Sequence, residues 1–489
     1  MGSAVSAILE RPTSGRRFGP SARAERDDRL GPLERLEALC DPGSLHLIRT
    51  EVLSQAMGDR ARHGDGVLGG SGTVGGRPVF CYAQDPRYAG GSLGEPHADT
   101  IARVLELAER GRAPVVGFVS SGGARMQEGI GALGGYGRIF KRTVALSGKV
   151  PQISIVTGLS AGGGAYSPAL TDWIVMTEES SMFLTGPGVV HEALGEVVDA
   201  ETLGGAKVHA KNGVCHFVAR DDTDAATLAR DLLAYLPSHS GEAAPHVRRR
   251  PPSGANPGAI VPAQQRRVYD VRDVIGAIVD GGELLEVSAG WARNLVTGFA
   301  RLDGRTVGVV ANQPRYTGGV LDVASSEKGA RFVGKCDAFG IPLLVLVDTP
   351  GYMPGVRQES AGVIRAGAEF VHAFAQATVP RITVILRKAF GGAFITMNSK
   401  DLGADYVFAW PQSEIGIMGA KPAVGVIHRR QLAAADDPEA ERDRLAAHYA
   451  DTQLRPEVAA ARGYVDELIT PQETRARLVW AYNTLAPLR

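Results

Sequence analysis

The 489-residue chain carries 53 Lys plus Arg against 53 Asp plus Glu, so its formal net charge is zero and it has no overall electrostatic drive toward nucleic acid or an acidic membrane. With 44% hydrophobic and 22% charged residues it is a globular chain long enough for two to four domains, not a disordered one. The 62 glycines are nearly twice the usual share of about 7% but have no G-X-Y period, and no apolar run reaches the ~18 residues of a membrane span.

In chain order, residues 1–30 mix Ser, Gly, Arg and Pro without the apolar core of a signal peptide, which predicts a disordered leader. Met1-Gly2-Ser3-Ala4-Val5-Ser6 matches the short myristoylation pattern, and Glu10 and Glu25 argue against a transit peptide. Gly72–Pro86 reads as two strands around a Gly75-Gly76 turn. Ala98–Arg110 puts Ile101, Val104, Leu105 and Ala108 on one helical face, with Gly111 as terminator. Val115–Val119 is a buried strand that runs into Ser120-Ser121-Gly122-Gly123. Pro151–Val156 is another, leading to Ala161-Gly162-Gly163.

These elements then recur. Ala300–Pro314 repeats the hairpin around Asp303-Gly304, with Gly76 and Gly304 228 residues apart. Leu343–Val347 repeats the strand at the same offset, and a helix follows over Ala361–Ala377. Pro380–Ile385 leads to Phe390-Gly391-Gly392, with Gly162 to Gly391 an offset of 229. Ser181–Gly186 matches Glu414–Gly419 at 233. Four blocks in one drifting register imply a duplicated α/β fold. The expected organisation is a domain over 31–245, a basic Pro/Gly-rich linker at 246–258, and a second domain over 259–489.

A strand, a glycine pair and a helix start can present paired N–H groups to a negatively charged oxygen. Such glycines also serve close backbone packing alone. Gly158-Leu159-Ser160-Ala161-Gly162 fits the hydrolase elbow G-x-S-x-G, with His191, His209 and His216 downstream. The second copy keeps the glycine pair but has Ala389 for Ser160, which speaks against a serine nucleophile. Arg125 suits either a bidentate hold on a phosphate or carboxylate, or an ion pair with Glu128. The spacing of Cys40, Cys81, Cys215 and Cys336 excludes a zinc ribbon and leaves reduced core thiols. No metal-ligating His spacing or P-loop occurs.

The segments SSGGARMQEG (120–129), GLSAGGGAYSPAL (158–170), VTGFARLDGRTVGVVANQP (296–314), DTPGYMPGVRQE (348–359), KAFGGAF (388–394) and AWPQSEIGIMGAK (409–421) resemble the carboxyltransferase β subunit of biotin-dependent acyl-CoA carboxylases of the acetyl-/propionyl-CoA type. The resemblance runs from about residue 31 to the C-terminus. It implies two crotonase-like domains, and transfer of a carboxyl group from carboxybiotin to the α-carbon of an acyl-CoA. It places the thioester oxygen on the N–H groups of Gly162 and Gly163, and the ureido oxygen of biotin on Gly392 and Ala393 beside Gly391. Repeat symmetry would instead pair Gly162-Gly163 with Gly391-Gly392. In this family the α-proton is taken by the biotin nitrogen, so no protein base is expected. Gly122, Gly123 and Arg125 are candidate substrate contacts. Ile395, after the GGAF run, occupies the acyl-selecting position, where isoleucine suggests acceptance of acetyl-CoA as well as propionyl-CoA.

With no biotinyl-lysine motif or ATP segment in the sequence, carboxybiotin is expected from a biotin carboxylase/biotin carboxyl carrier partner. The family implies a hexamer built as a trimer of dimers, each site formed by the N-domain of one subunit and the C-domain of another. No nucleic acid, membrane or metal partner is expected, and the location is expected to be cytoplasmic. The alternatives are a biotin-dependent decarboxylase, a Ser160 hydrolase, and a scaffold subunit without turnover.

Overall fold

The computed structural model describes residues 29–485. The expected leader and the myristoylation match fall almost wholly outside the described residues. The chain divides into one unit running to Ala234 together with Ser238–Ser240, and a second of Tyr235–Pro237 and Gly241 onward.

The first unit starts with α1 (Pro32–Leu39) and β1 (His46–Ile48), followed by the hairpin β2 (Val67–Val74) and β3 (Arg77–Gln84). Then α2 (Glu95–Gly111), β4 (Val115–Ser121), α3 (Ile130–Leu146), β5 (Gln152–Ala161), α4 (Gly163–Ala169), β6 (Trp173–Thr177), β7 (Ser181–Phe183), β8 (Phe217–Ala219) and α5 (Asp222–Tyr235) complete it. The sheet order is β1-β2-β3-β4-β5-β6-β8, with β7 paired to β5. β1 to β3 are antiparallel and the rest parallel. Every residue of β4 is buried, as expected of a parallel strand covered on both faces. The stripe Ile101, Val104, Leu105, Ala108 of α2 packs with Val115, Val119 and Ile139 in one core.

The second unit repeats this plan. It has α6 (Val271–Ile278), β9 (Leu284–Val287), β10 (Leu295–Leu302), β11 (Arg305–Asn312), α7 (Val323–Ala338), β12 (Leu343–Thr349), α8 (Val363–Gln376), β13 (Arg381–Phe390), α9 (Gly391–Thr396), β14 (Tyr406–Ala409), β15 (Glu414–Gly416), β16 (Glu467–Leu468) and α10 (Thr474–Thr484). Its order is β16-β14-β13-β12-β11-β10-β9, with β15 on β13. Two mixed eight-stranded sheets in tandem are the duplicated α/β architecture implied by the internal repeat.

Both hairpins turn through two positive-φ residues, Gly75-Gly76 (57°, 74°) and Asp303-Gly304 (53°, 81°). A carboxylate the repeat did not flag caps each turn. Asp41 accepts from Gly75 N–H (3.1 Å) and Gly76 N–H (2.8 Å), and Arg230 of α5 holds it at 2.9 Å. Asp280 accepts from Asp303 N–H (3.0 Å) and Gly304 N–H (2.8 Å), and Arg475 of α10 holds it at 2.6 Å. The hydrogen bond from Gly76, aided by Arg230, keeps the Asp41 carboxyl far below the ordinary range.

Two local expectations shift. Helix α2 runs one residue further, and Arg112, not Gly111, takes the left-handed cap at φ 50°. Gly111 serves packing instead, since a Cβ there would stand 2.9 Å from the Phe80 ring. The segment His246–Gly258 lies along the second unit: Val247 N–H donates to Gly304 O, Ser253 N–H to Gly276 O, and Arg250 pairs with Glu283. Among the described residues, no helix is long and apolar enough to cross a membrane, and no cluster of His, Cys, Asp and Glu could hold a metal.

Candidate functional site

In the first unit, β5 ends at Ala161 and the chain turns at Gly162 with φ 58° and ψ −121°, a conformation that only glycine adopts readily. Helix α4 begins at once with Gly163. The Gly162 N–H does not point to solvent; it donates to Phe183 O at 3.1 Å, extending the β5–β7 pairing. The first-turn donors without a helical partner are therefore Gly163 and Gly164. These lie one residue beyond the expected Gly162-Gly163 pair. At the repeat offset of 229, Gly163-Gly164 corresponds to Gly392-Ala393.

The second unit makes the same turn. Gly391 has φ 61° directly after β13. Gly392 and Ala393 are the next first-turn positions of α9, Gly392 exposed and Ala393 buried. Gly392 opens on a cavity of about 570 Å³ whose walls include Tyr352, Met353, Val363, Ile364, Ile395 and Thr396. Ile395 is half exposed on that wall, so it is not a core residue.

Each glycine turn rests on a tyrosine that the sequence reading passed over. A Cβ built on Gly163 would meet Cγ, Cδ1 and Cδ2 of Tyr136 at 2.7 Å, so the ring lies flat against that residue. Tyr136 Oη is 3.0 Å from Ser121 Oγ, which also accepts from Gly123 N–H at 3.3 Å. In the second unit, Tyr352 Cδ2 lies 4.0 Å from the corresponding place on Gly392.

Of the loop candidates, Gly122 is exposed and Gly123 buried. Gly122 N–H donates to Gly90 O at 3.0 Å, and Gly123 O accepts from Leu93 N–H at 2.8 Å. Of the two readings of Arg125, the structure selects the ion pair. Its side chain is fully buried, with Nη1 2.6 Å from Asp65 and 2.9 Å from Glu128, and Nη2 on Ser92 O. Its guanidinium, expected among the substrate contacts, is thus engaged by the protein's own carboxylates. Asp65 is pushed up by burial, against the opposing charge of Arg125. For Glu128 burial also pushes upward, but hydrogen bonds from Ser54, Glu95 N–H and Arg125 prevail and lower it. His97, buried beside them, is held neutral near a pKa of about 3 by burial and then by the Arg125 charge. Its Nε2 is 3.1 Å from Gln84 Nε2, and Gln84 Oε1 accepts from Ser120 N–H at 3.1 Å. This buried network ties the end of β4 to the start of α2.

Ser160 is fully buried within β5, and its Oγ has no hydrogen-bond partner. The strained turn that an elbow serine must occupy falls at Gly162 instead. His209 and His216 are bonded to Met182 O and Ile174 N–H.

A family model described as "Carboxyl transferase domain" matches residues 24–487. The methylmalonyl-CoA carboxyltransferase 12S subunit of Propionibacterium freudenreichii subsp. shermanii is 48% identical, over 93% of this chain and 88% of that protein. The biotin-dependent acetyl-/propionyl-coenzyme A carboxylase beta5 subunit of Mycobacterium tuberculosis is 44% identical, over 94% and 87%. A solved structure of transcarboxylase 12S, described as a hexamer assembly with methylmalonyl-coenzyme A and methylmalonic acid bound, superposes with a TM-score of 0.90 at 47% identity, covering 94% of this chain and 91% of that one. The chain belongs to the carboxyltransferase family of biotin-dependent acyl-CoA carboxylases.

Proposed function

We propose that this chain moves a carboxyl group from carboxybiotin, carried on a partner subunit, to the α-carbon of propionyl-CoA, acetyl-CoA or both. The observation that supports it is the duplicated turn, with first-turn N–H groups of Gly163 and Gly164 in one unit and of Gly392 and Ala393 in the other. Two holes suit a reaction in which two carbonyl-type oxygens gain negative charge.

In this reading Gly163 and Gly164 hold the thioester oxygen and stabilise the enolate formed when the α-proton leaves. That proton is weakly acidic, so the donors contribute most when charge has built up on oxygen. Gly392 and Ala393 hold the ureido oxygen of biotin. Gly392 on the wall of a mostly apolar cavity, with the Ala393 N–H next to it in the same turn, suits a neutral bicyclic urea. Biotin, when bound, supplies the carboxyl group. Helix α9 and the apolar wall orient the ring and limit water near it.

Acceptance of acetyl-CoA rests on Ile395, an uncharged wall residue of that cavity, and on the similarity to a relative named as an acetyl-/propionyl-coenzyme A carboxylase subunit. A hexamer is part of the reading, since the solved relative is described as one, with sites formed by N- and C-domains of different subunits. So are a biotin carboxylase/biotin carboxyl carrier partner and a cytoplasmic location. The test is reconstitution with a purified biotinylated partner, ATP and labelled bicarbonate, comparing acetyl-, propionyl- and butyryl-CoA. Label fixed into acid-stable product with the first two supports the proposal. Fixation with none of the three overturns it.

A further inference from the structure

Tyr352 stands three residues beyond the end of β12 and borders the cavity next to Gly392. Its Oη–H donates to Thr396 Oγ1 at 3.0 Å, and Thr396 Oγ1 donates to Gly392 O at 3.0 Å. A threonine hydroxyl that reaches back one turn is ordinary in a helix. The tyrosine adds direction. Thr396 has one hydroxyl hydrogen, and with Tyr352 donating to its oxygen, that hydrogen is committed to the Gly392 carbonyl.

The Gly392 carbonyl and the Ala393 N–H belong to one planar peptide group. A hydrogen bond that fixes the carbonyl therefore fixes where the N–H points. Donation to the carbonyl oxygen also polarises that N–H, as in any hydrogen-bonded chain. Room for the phenol comes from Gly367 on α8, where a Cβ would stand 3.0 Å from Tyr352 Oη. The arrangement belongs to the second unit alone. At the repeat offsets of 228 and 229, Ala124 and Ser167 occupy the places of Tyr352 and Thr396, and the first unit supports its own turn with Tyr136 from α3.

We infer that Tyr352 is a positioning residue for the Ala393 N–H, acting through Thr396 and the Gly392 carbonyl. This rests on the reading of Gly392 and Ala393 as oxygen-holding donors.

The test uses the full chain with its biotinylated partner and the variants Tyr352→Phe, Thr396→Val, their double, Thr396→Ser, and Gly392→Val as reference. Tyr352→Phe and Thr396→Val each lower kcat about tenfold, the effect of one hydrogen bond of roughly 1.4 kcal/mol. The double variant is no slower than Thr396→Val, because the two side chains form one chain. Thr396→Ser keeps the hydroxyl and restores kcat. KM for acyl-CoA stays within about twofold in all four, which separates loss at the hole from general loosening. Full kcat in Tyr352→Phe beside an inactive Gly392→Val overturns the relay and spares the parent reading; full turnover in Gly392→Val overturns both. Losses that add in the double variant, or that follow the melting temperature, also overturn the relay. Should Thr396→Val fail to fold, Tyr352→Phe against Thr396→Ser decides alone.

Discussion

The ring of Tyr136 lies flat on Gly163: three ring atoms would stand 2.7 Å from a Cβ at that glycine. Gly392 has no such lid, only Tyr352 Cδ2 at 4.0 Å, and its φ is ordinary. The two turns therefore differ in tolerance. Gly163→Ala must displace Tyr136 or the helix start, and turnover should fall at least about 10²-fold, the cost of misplacing one oxyanion donor. Gly392→Ala fits and should cost less, whereas Gly392→Val projects a branched side chain toward the cavity and should again cost about 10²-fold. Steady-state kcat/KM for all three checks this; equal, small losses throughout would remove the two-hole mechanism.

Arg125 and Asp65 are both fully buried and 2.6 Å apart. Asp65→Asn leaves the guanidinium with Glu128 as its remaining carboxylate partner, at 2.9 Å. Removing one member of a buried pair costs about 3–5 kcal/mol. Asp65→Asn and Arg125→Met should each lower the urea midpoint clearly, while KM for acyl-CoA in the folded fraction stays put. A change confined to KM, with no loss of stability, would return Arg125 to the substrate contacts.

His97 contributes to the acid sensitivity of the same network. Its pKa in the folded state is about 3 against the usual 6.5, through burial and then the Arg125 charge. As pH falls below about 6.5 the unfolded chain takes the proton and the folded chain does not, so stability drops down to about pH 3; above 6.5 the group has no effect. Urea melts at pH 7.5, 6 and 5 should show a steeper acid loss for wild type than for His97→Gln. Parallel curves would mean that other groups set the acid limb.

How far the sequence revealed the fold follows from the kind of signal each feature leaves. The hairpins, the buried strands and the glycine turns lie in short local segments, and duplication doubled their signal, so they were readable. Asp41 and Asp280 were not. Each acts on a hairpin turn more than 20 residues away and is held by an arginine from the last helix of its unit, and nothing local marks them. Tyr136 and Tyr352 come from different places in the repeat, so comparing the copies hides both. The one-residue ambiguity in the first glycine pair was legible only in three dimensions, because it depends on Phe183 O capturing the Gly162 N–H.

Ser160→Ala should leave carboxyl transfer unchanged. Its hydroxyl is buried in β5 without a partner, so the alanine removes an unsatisfied polar group and can even raise stability slightly. Loss of transfer with normal melting would reopen a role for the serine.

Ile395 is half exposed on the wall of the cavity next to Gly392. An aspartate there puts a charge on a largely apolar wall and removes the uncharged side chain on which acceptance of the shorter acetyl group rests. The acyl chains in question differ by one methylene, which an apolar contact discriminates by about 10–200-fold. Ile395→Asp should therefore move the acetyl-CoA to propionyl-CoA ratio of kcat/KM by about tenfold, against acetyl-CoA, while Gly163 and Gly164 keep their task and the better substrate retains most of its kcat. Competition between the two thioesters in one reaction, read as the malonyl to methylmalonyl product ratio, measures this directly. An unchanged ratio would take Ile395 out of acyl selection and leave it as a wall residue.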